Sequence, residues 1–208
     1  MDIRTIVSLA PVIPVVTLDD PAKAVPLARA LVAGGLPVIE MTLRTDAAYA
    51  SVKAIVKDVP EAVVGFGTVT RIDQVAAAID LGARFAVSPG LRPDLVEAVR
   101  RNELPYLPGI ATASELMAAM SAGFDLLKFF PAGPAGGIPM LKALHGPFSD
   151  VRFCPTGGID AGNALDYLAL PNVVAVGGSW VTPSSAVDSG DWQAITGLAL
   201  QASQLRKA

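Results

Sequence analysis

Eight short apolar runs, each followed by a longer stretch with helical spacing, limit what this chain can fold into. The runs lie near residues 12–16, 37–42, 62–66, 85–88, 106–108, 126–130, 151–154 and 173–176. The Ala/Leu-rich stretches between them lie near 21–33, 47–56, 72–81, 93–101, 114–122, 140–144, 161–168 and 191–206. Gly or Pro stands at many of the junctions, as at Gly34-Gly35, Gly82, Gly123 and Pro171. Near-continuous apolar strands alternating with amphipathic helices specify a parallel sheet covered by helices. Eight such units fit a closed (β/α)8 TIM barrel of α/β class. An open doubly wound sheet is the alternative, but no G-x-G-x-x-G follows the first strand. No linker or low-complexity segment interrupts the alternation, so residues 1–208 read as one domain. The segment M-D-I-R-T-I-V-S-L-A-P reads as a short N-terminal helix before the first strand. It has no basic leader, and Pro11 and Pro14 break its apolar run. A cytoplasmic protein is therefore expected, and no apolar run is long enough to span a bilayer.

With 52% hydrophobic residues and a net charge of −3, the chain can bury a sizeable core. It offers no basic face to nucleic acid or an anionic membrane. Binding cations must therefore act singly, in a pocket. Cys154 is the only cysteine, which rules out an internal disulfide and a cysteine zinc cluster; it reads as a small hydrophobe in a strand. His145 is the only histidine and no nucleophile-elbow motif accompanies it, so it reads as a helix C-terminal residue. No H-x-H or H-E-x-x-H pattern exists, so metal chemistry is not expected. Asp160 and Asp166 read as charges serving a helix start, and Trp180 and Trp192 as packing residues.

A barrel brings strand ends together at one mouth. The second strand ends I-E-M-T-L-R-T, the third G-F-G-T-V-T, the fourth V-S-P-G, the sixth K-F-F-P-A, the seventh C-P-T-G-G-I and the eighth V-G-G-S-W. Lys128 stands inside the apolar L-L-K-F-F-P-A segment. Burial favours a neutral amine there, and a neutral amine attacks carbonyls. The alternative is a lysine whose stem covers apolar surface while its ammonium reaches water. Glu40, inside V-I-E-M-T, is an unusual residue for a buried strand. It can move protons for such a lysine, or serve as its structural partner. Arg44 can hold a carboxylate in two parallel hydrogen bonds, or be a solvated loop arginine. Thr68 can donate to the same carboxylate or cap the next helix. Gly157-Gly158 and Gly177-Gly178 follow the seventh and eighth strands, where this fold often builds a phosphate site from backbone N–H groups. Ser179 would add a hydroxyl; tight turns also call for glycine.

The motifs I-E-M-T-L-R-T, G-F-G-T-V, S-P-G, P-G-I-A-T-A-S-E-L, K-F-F-P-A, G-P-F-S-D-V-R-F-C-P-T-G-G-I and G-G-S-W run through nearly the whole chain. On them the chain resembles the bacterial 2-keto-3-deoxy-6-phosphogluconate aldolases. These small Schiff-base (β/α)8 enzymes form a family with the 4-hydroxy-2-oxoglutarate aldolases. The resemblance implies that Lys128 forms the Schiff base and Glu40 is the acid/base. It implies that Arg44 and Thr68 hold the pyruvate carboxylate, with Pro89 and Phe130 shaping that pocket. Thr156 would meet substrate hydroxyls, and Gly157, Gly158, Gly178 and Ser179 would take the phosphate. It further implies a homotrimer, a phosphorylated keto acid substrate, and no metal or other cofactor. The family usually has a small residue where Phe66 stands, which implies a tighter or shifted pocket beside Thr68. It often has Glu where Gly133 stands, which implies a different bend in the loop towards Ile138. Relatives acting on the galactonate epimer tend to be aliphatic at the Thr156 position, so the gluconate epimer is favoured here. The alternatives are 4-hydroxy-2-oxoglutarate, the galactonate epimer, or a non-catalytic barrel binding a phosphorylated ligand.

Overall fold

The computed structural model describes residues 1–205. Its strands are β1 (Val12–Val16), β2 (Val38–Thr42), β3 (Val63–Gly67), β4 (Ala86–Val87), β5 (Tyr106–Leu107), β6 (Gly109–Ile110), β7 (Leu126–Phe129), β8 (Arg152–Pro155) and β9 (Val176–Gly178). Its helices are α1 (Ile3–Val7), α2 (Ala24–Ala33), α3 (Ala47–Asp58), α4 (Ile72–Asp80), α5 (Pro93–Arg101), α6 (Ala113–Ser121), α7 (Gly137–His145), α8 (Ala164–Leu168), α9 (Ser184–Ser189) and α10 (Trp192–Ser203). The stretch 21–33 opens with a 3-10 turn, Pro21–Lys23, and the short α9 was not expected from the sequence. The expected end of the last helix at Arg206 lies outside the described residues. No helix among the described residues is long and apolar enough to cross a membrane.

Every strand pairing is parallel, as helical crossovers require. The result is an α/β fold with a curled, TIM-barrel-like sheet. One closed ring of eight strands was expected; the hydrogen-bonded ladders instead form two sections, β5-β4-β3-β2-β1-β9 and β6-β7-β8. Pro108 causes the first break. Without an N–H it cannot continue the ladder, so the fifth run divides into β5 and β6. Its carbonyl still accepts from the Lys128 N–H at 2.9 Å. On the other side, β8 and the chain around β9 meet through isolated bridges, Phe153 with Val173 and Thr156 with Gly177. The eighth strand accordingly lies at Val176–Gly178, later than the β-branched run suggests.

Side chains alternate between two buried clusters, as a strand period of two demands. Leu127 and Phe129 of β7 join the outer cluster between sheet and helices, with Ile39 and Met41 of β2. Leu126 and Val38 face inward, joining Ile13, Phe85, Val87, Leu107, Cys154 and Ala175. Ile6 and Val7 of α1 complete that inner cluster and stop the N-terminal end of the curl. Asp2 caps α1, accepting from the Thr5 N–H at 2.7 Å. Lys128 and Glu40 follow Leu126 and Val38 at the same parity, and so stand on the inner face one step nearer the mouth.

Candidate active site

The two candidate catalytic groups meet. Lys128 Nζ donates to Glu40 Oε1 at 2.9 Å, and the residues are 5% and 3% exposed. A buried pair of opposite charges satisfies itself where either member alone would be stranded. Gly67 makes room for it: a Cβ there would lie 2.5 Å from Glu40 Oε1 and Cγ. The Lys128 ammonium also lies 5.2 Å from the centroid of the Phe130 ring, within cation–π range. Cys154, register partner of Lys128, is buried beside the pair. Burial pushes its thiol up to about 12, Lys128 opposing that shift and Glu40 adding to it. The thiol stays protonated and serves as the hydrophobe its sequence context suggested.

Toward the mouth, separated from the pair by Phe130 and lined by neither Lys128 nor Glu40, lies a cavity of about 240 Å³ whose walls are Arg44, Phe130, Thr156, Gly157, Gly158, Gly178 and Ser179, together with Val15, Thr17 and Ile159. The carboxylate-binding arginine and the glycine loops expected from the sequence therefore share one space. Arg44 is exposed and has no ion-pair partner among the described residues. Gly157 and Gly158 have φ of +97° and +77°, a left-handed succession that side chains resist. Their N–H groups make no hydrogen bond among the described residues, so the loop can offer donors to an anion. The β7 loop braces it, with the Gly133 N–H donating to Gly157 O at 2.9 Å. Gly178 has a packing role as well, because a Cβ would run into the Trp180 ring. Thr156 Oγ1 is buried without a hydrogen-bond partner.

Thr68 and Pro89 do not line this cavity. Thr68 follows β3 with φ +60°, a strained conformation for a β-branched residue. Pro89 lies between two anchored neighbours. The Tyr106 hydroxyl donates to Ser88 Oγ at 2.5 Å, and Ser88 Oγ donates to Gly90 O at 2.7 Å. That direction follows because a carbonyl only accepts and a serine has one hydrogen. Gly109 lies directly against the Pro89 carbonyl, where a Cβ would not fit. Phe66 corrects an expectation. Its ring is on the outer face, edge-on to Tyr49 of α3 with centroids 5.4 Å apart, and does not narrow the pocket beside Thr68.

Most other assignments fall as the sequence suggested. His145 is the last residue of α7, and Trp180 and Trp192 pack against the outer core. Asp166 lies in the first turn of α8 as expected, whereas Asp160, expected as its cap or an early-turn charge, stands in the preceding turn and accepts from the Gly162 N–H, the N-cap position being Asn163. Thr17 escaped the sequence reading, although the rule that strand ends gather at the mouth applies to β1 as well.

The profile of the family described as "Aldolase: KDPG and KHG aldolase" matches residues 3–198. The 2-dehydro-3-deoxy-phosphogluconate aldolase of Pseudoalteromonas atlantica is 50% identical over 96% of this chain and 93% of its own length. The KDPG aldolase of Legionella pneumophila, with pyruvate captured as a covalent carbinolamine intermediate, superposes with a TM-score of 0.96 at 44% identity, covering 98% of this chain and 99% of that one. The Zymomonas mobilis ZM4 enzyme with 3-phosphoglycerate does so with a TM-score of 0.95 at 46% identity, covering 100% and 97%.

Proposed function

The chain belongs to the KDPG and KHG aldolase family, and from that premise we propose that it cleaves 2-dehydro-3-deoxy-6-phosphogluconate through a Schiff base on Lys128. It is a class I aldolase, a carbon–carbon lyase whose products are pyruvate and glyceraldehyde 3-phosphate. The observation that carries the residue assignment is the 2.9 Å contact between Lys128 Nζ and Glu40 Oε1 on the inner face, below a polar cavity. An amine must lose a proton to attack, and the Glu40 carboxylate is in reach to take it. Lys128 Nζ adds to the C2 ketone, and the carbinolamine loses water to give the iminium. Glu40 accepts the C4 hydroxyl proton, directly or through a water. The C3–C4 bond breaks, its electrons passing into the iminium to form the enamine of pyruvate. Protonation of that enamine and hydrolysis release pyruvate and restore the amine.

Arg44 and Thr68 hold the C1 carboxylate in this reading, with Pro89 and Phe130 walling the pyruvate portion. Thr156 meets a hydroxyl of the chain, which favours the gluconate epimer. The N–H groups of Gly157, Gly158 and Gly178 and the Ser179 hydroxyl receive the phosphate. The Gly157-Gly158 N–H groups left free support this placement. We also read residues 1–208 as one (β/α)8 domain whose ring closes across Pro108 and the Thr156–Gly177 bridge. A cytoplasmic homotrimer working without metal or other cofactor belongs to the same reading. Light scattering and activity after exhaustive chelation check the assembly state and the metal independence.

Borohydride reduction in the presence of pyruvate tests the core of the proposal. Intact mass and peptide mapping should find one reduced adduct, on Lys128. A folded protein that forms no adduct at saturating pyruvate, or forms it elsewhere, overturns the assignment.

A further inference from the structure

One polar side chain of the cavity has no part in the reaction above. Thr17 follows β1 and lines the cavity with Arg44, Thr156 and Ser179. Its Oγ1 lies 2.7 Å from Thr42 Oγ1. Thr42 is fully buried, and Thr17 is its hydroxyl's partner; no other is found among the described residues. Each hydroxyl has one hydrogen. Were Thr17 the donor, the Thr42 hydrogen would be shut in the interior unpaired, which buried hydroxyls avoid. Thr42 therefore donates and Thr17 accepts. That leaves Thr17, an exposed residue, one hydrogen and one lone pair for a further partner. Thr42 fixes the position of this hydroxyl, and Thr45 Oγ1, donating to Leu18 O, ties down the segment just beyond it.

A second hydroxyl belongs to the wall of the same cavity. Thr156 Oγ1 lies just past β8, buried against Gly177 and beside the Cys154 thiol, with no oxygen or nitrogen partner among the described residues. The strand between β1 and this part of the chain is β9, which pairs with Pro14 through Gly178 and with Thr156 through Gly177. Both β9 residues are glycines, so β9 places no side chain between the two hydroxyls. Each hydroxyl can donate and accept. Their best complement is a group that does both, an alcohol, whereas an ionised phosphate only accepts.

We propose that Thr17 is a specificity-determining residue that hydrogen-bonds the secondary alcohol next to the phosphate-bearing carbon. With Thr156 it makes the site selective for hydroxylated aldehyde partners. This rests on the aldolase reading above and adds a substrate contact to it. Adjoining the site is a chamber of about 370 Å³ that shares Val15, Thr17 and Ser179 with it, so Thr17 stands where the aldehyde portion would leave the cavity.

The test runs the reaction in the synthetic direction with pyruvate and four aldehydes: glyceraldehyde 3-phosphate, its 2-deoxy analogue, glyceraldehyde and 3-hydroxypropanal. Thr17→Val should lower kcat/KM roughly tenfold for the two 2-hydroxy aldehydes and leave their deoxy counterparts unchanged. Thr17→Ser should restore the wild-type pattern. A loss confined to the two phosphorylated aldehydes, whatever their hydroxyls, would reassign Thr17 to the phosphate and overturn the proposal. An equal loss for all four would make Thr17 purely structural and overturn it too. Borohydride trapping of pyruvate on Lys128 should be as fast in Thr17→Val as in wild type. A wild-type protein that traps no pyruvate would defeat the aldolase reading itself, a failure the aldehyde comparison cannot be confused with.

Discussion

Lys128 Nζ and Glu40 Oε1 lie 2.9 Å apart although their residues belong to strands on different sections of the sheet. They meet because β2 and β7 both turn alternate side chains into the curl. Removing one partner strands the other charge without water. Lys128→Met should therefore abolish cleavage and destabilise the fold by roughly 3–5 kcal/mol. Adding Glu40→Leu should recover most of that stability and none of the activity. Urea unfolding of the two variants measures the first effect and turnover the second. A double variant no more stable than the single one would show that the pair is not the buried unit described.

Gly67 is what lets Glu40 sit beside the lysine. A methyl group at Gly67 would meet the Glu40 carboxylate at 2.5 Å. Gly67→Ala should lower kcat by about two decades, the order of a displaced acid/base, while the protein remains folded. Steady-state kinetics with circular dichroism as a control decide it; an unchanged kcat would free Glu40 from dependence on that gap.

Thr68 carries strain in its backbone, at φ +60°. Asn adopts this region more readily than a β-branched residue. Thr68→Asn should raise stability by about 0.5–1 kcal/mol and reduce kcat/KM for cleavage, the two effects having opposite signs. Denaturant unfolding and kinetics on the same preparation would expose a matching sign, which the strain account does not allow.

Cys154 links stability to alkaline pH. Its thiol is raised from an ordinary 9.0 to about 12 in the folded protein. Between those values the unfolded chain has released a proton that the folded chain retains. Stability is thus full below about 9 and declines as pH rises to about 12, with a slope approaching about 1.4 kcal/mol per pH unit. Cys154→Ala should remove the slope between about pH 9 and 10 and reduce it above, where the Tyr106 phenol, pushed up by burial from 10.0 to about 12, contributes its own, leaving below pH 9 a constant offset from the lost packing. Urea midpoints at several pH values separate slope from offset.

Much of this architecture is legible in the sequence because burial on both faces of a parallel strand leaves a plain apolar run. Val12–Val16 has the bounds the run suggests, and Val38–Thr42 differs from its run by one residue. The fifth strand is not legible as two pieces, since only the missing N–H of Pro108 divides it. The eighth is displaced because Gly177 and Gly178 pair with β1 despite a composition that reads as a turn. Lys128 and Glu40 announce themselves as charges in apolar runs. Thr17 does not, because a threonine after a strand is ordinary until its neighbours are known. Phe66 misleads for a related reason: the parity that turns it away from the cavity is set by pairing, which a motif does not display.

The inner face is ordered by height above α1. Leu126, Val38 and Ile13 form an apolar floor, the Lys128–Glu40 pair stands one step higher, and Thr17, Thr156 and the glycine loops form the rim. On the reading proposed above, bond-breaking chemistry and substrate recognition fall to different storeys of the same strands, so that exchanging a rim residue would alter the aldehyde accepted and leave the covalent step one storey below untouched.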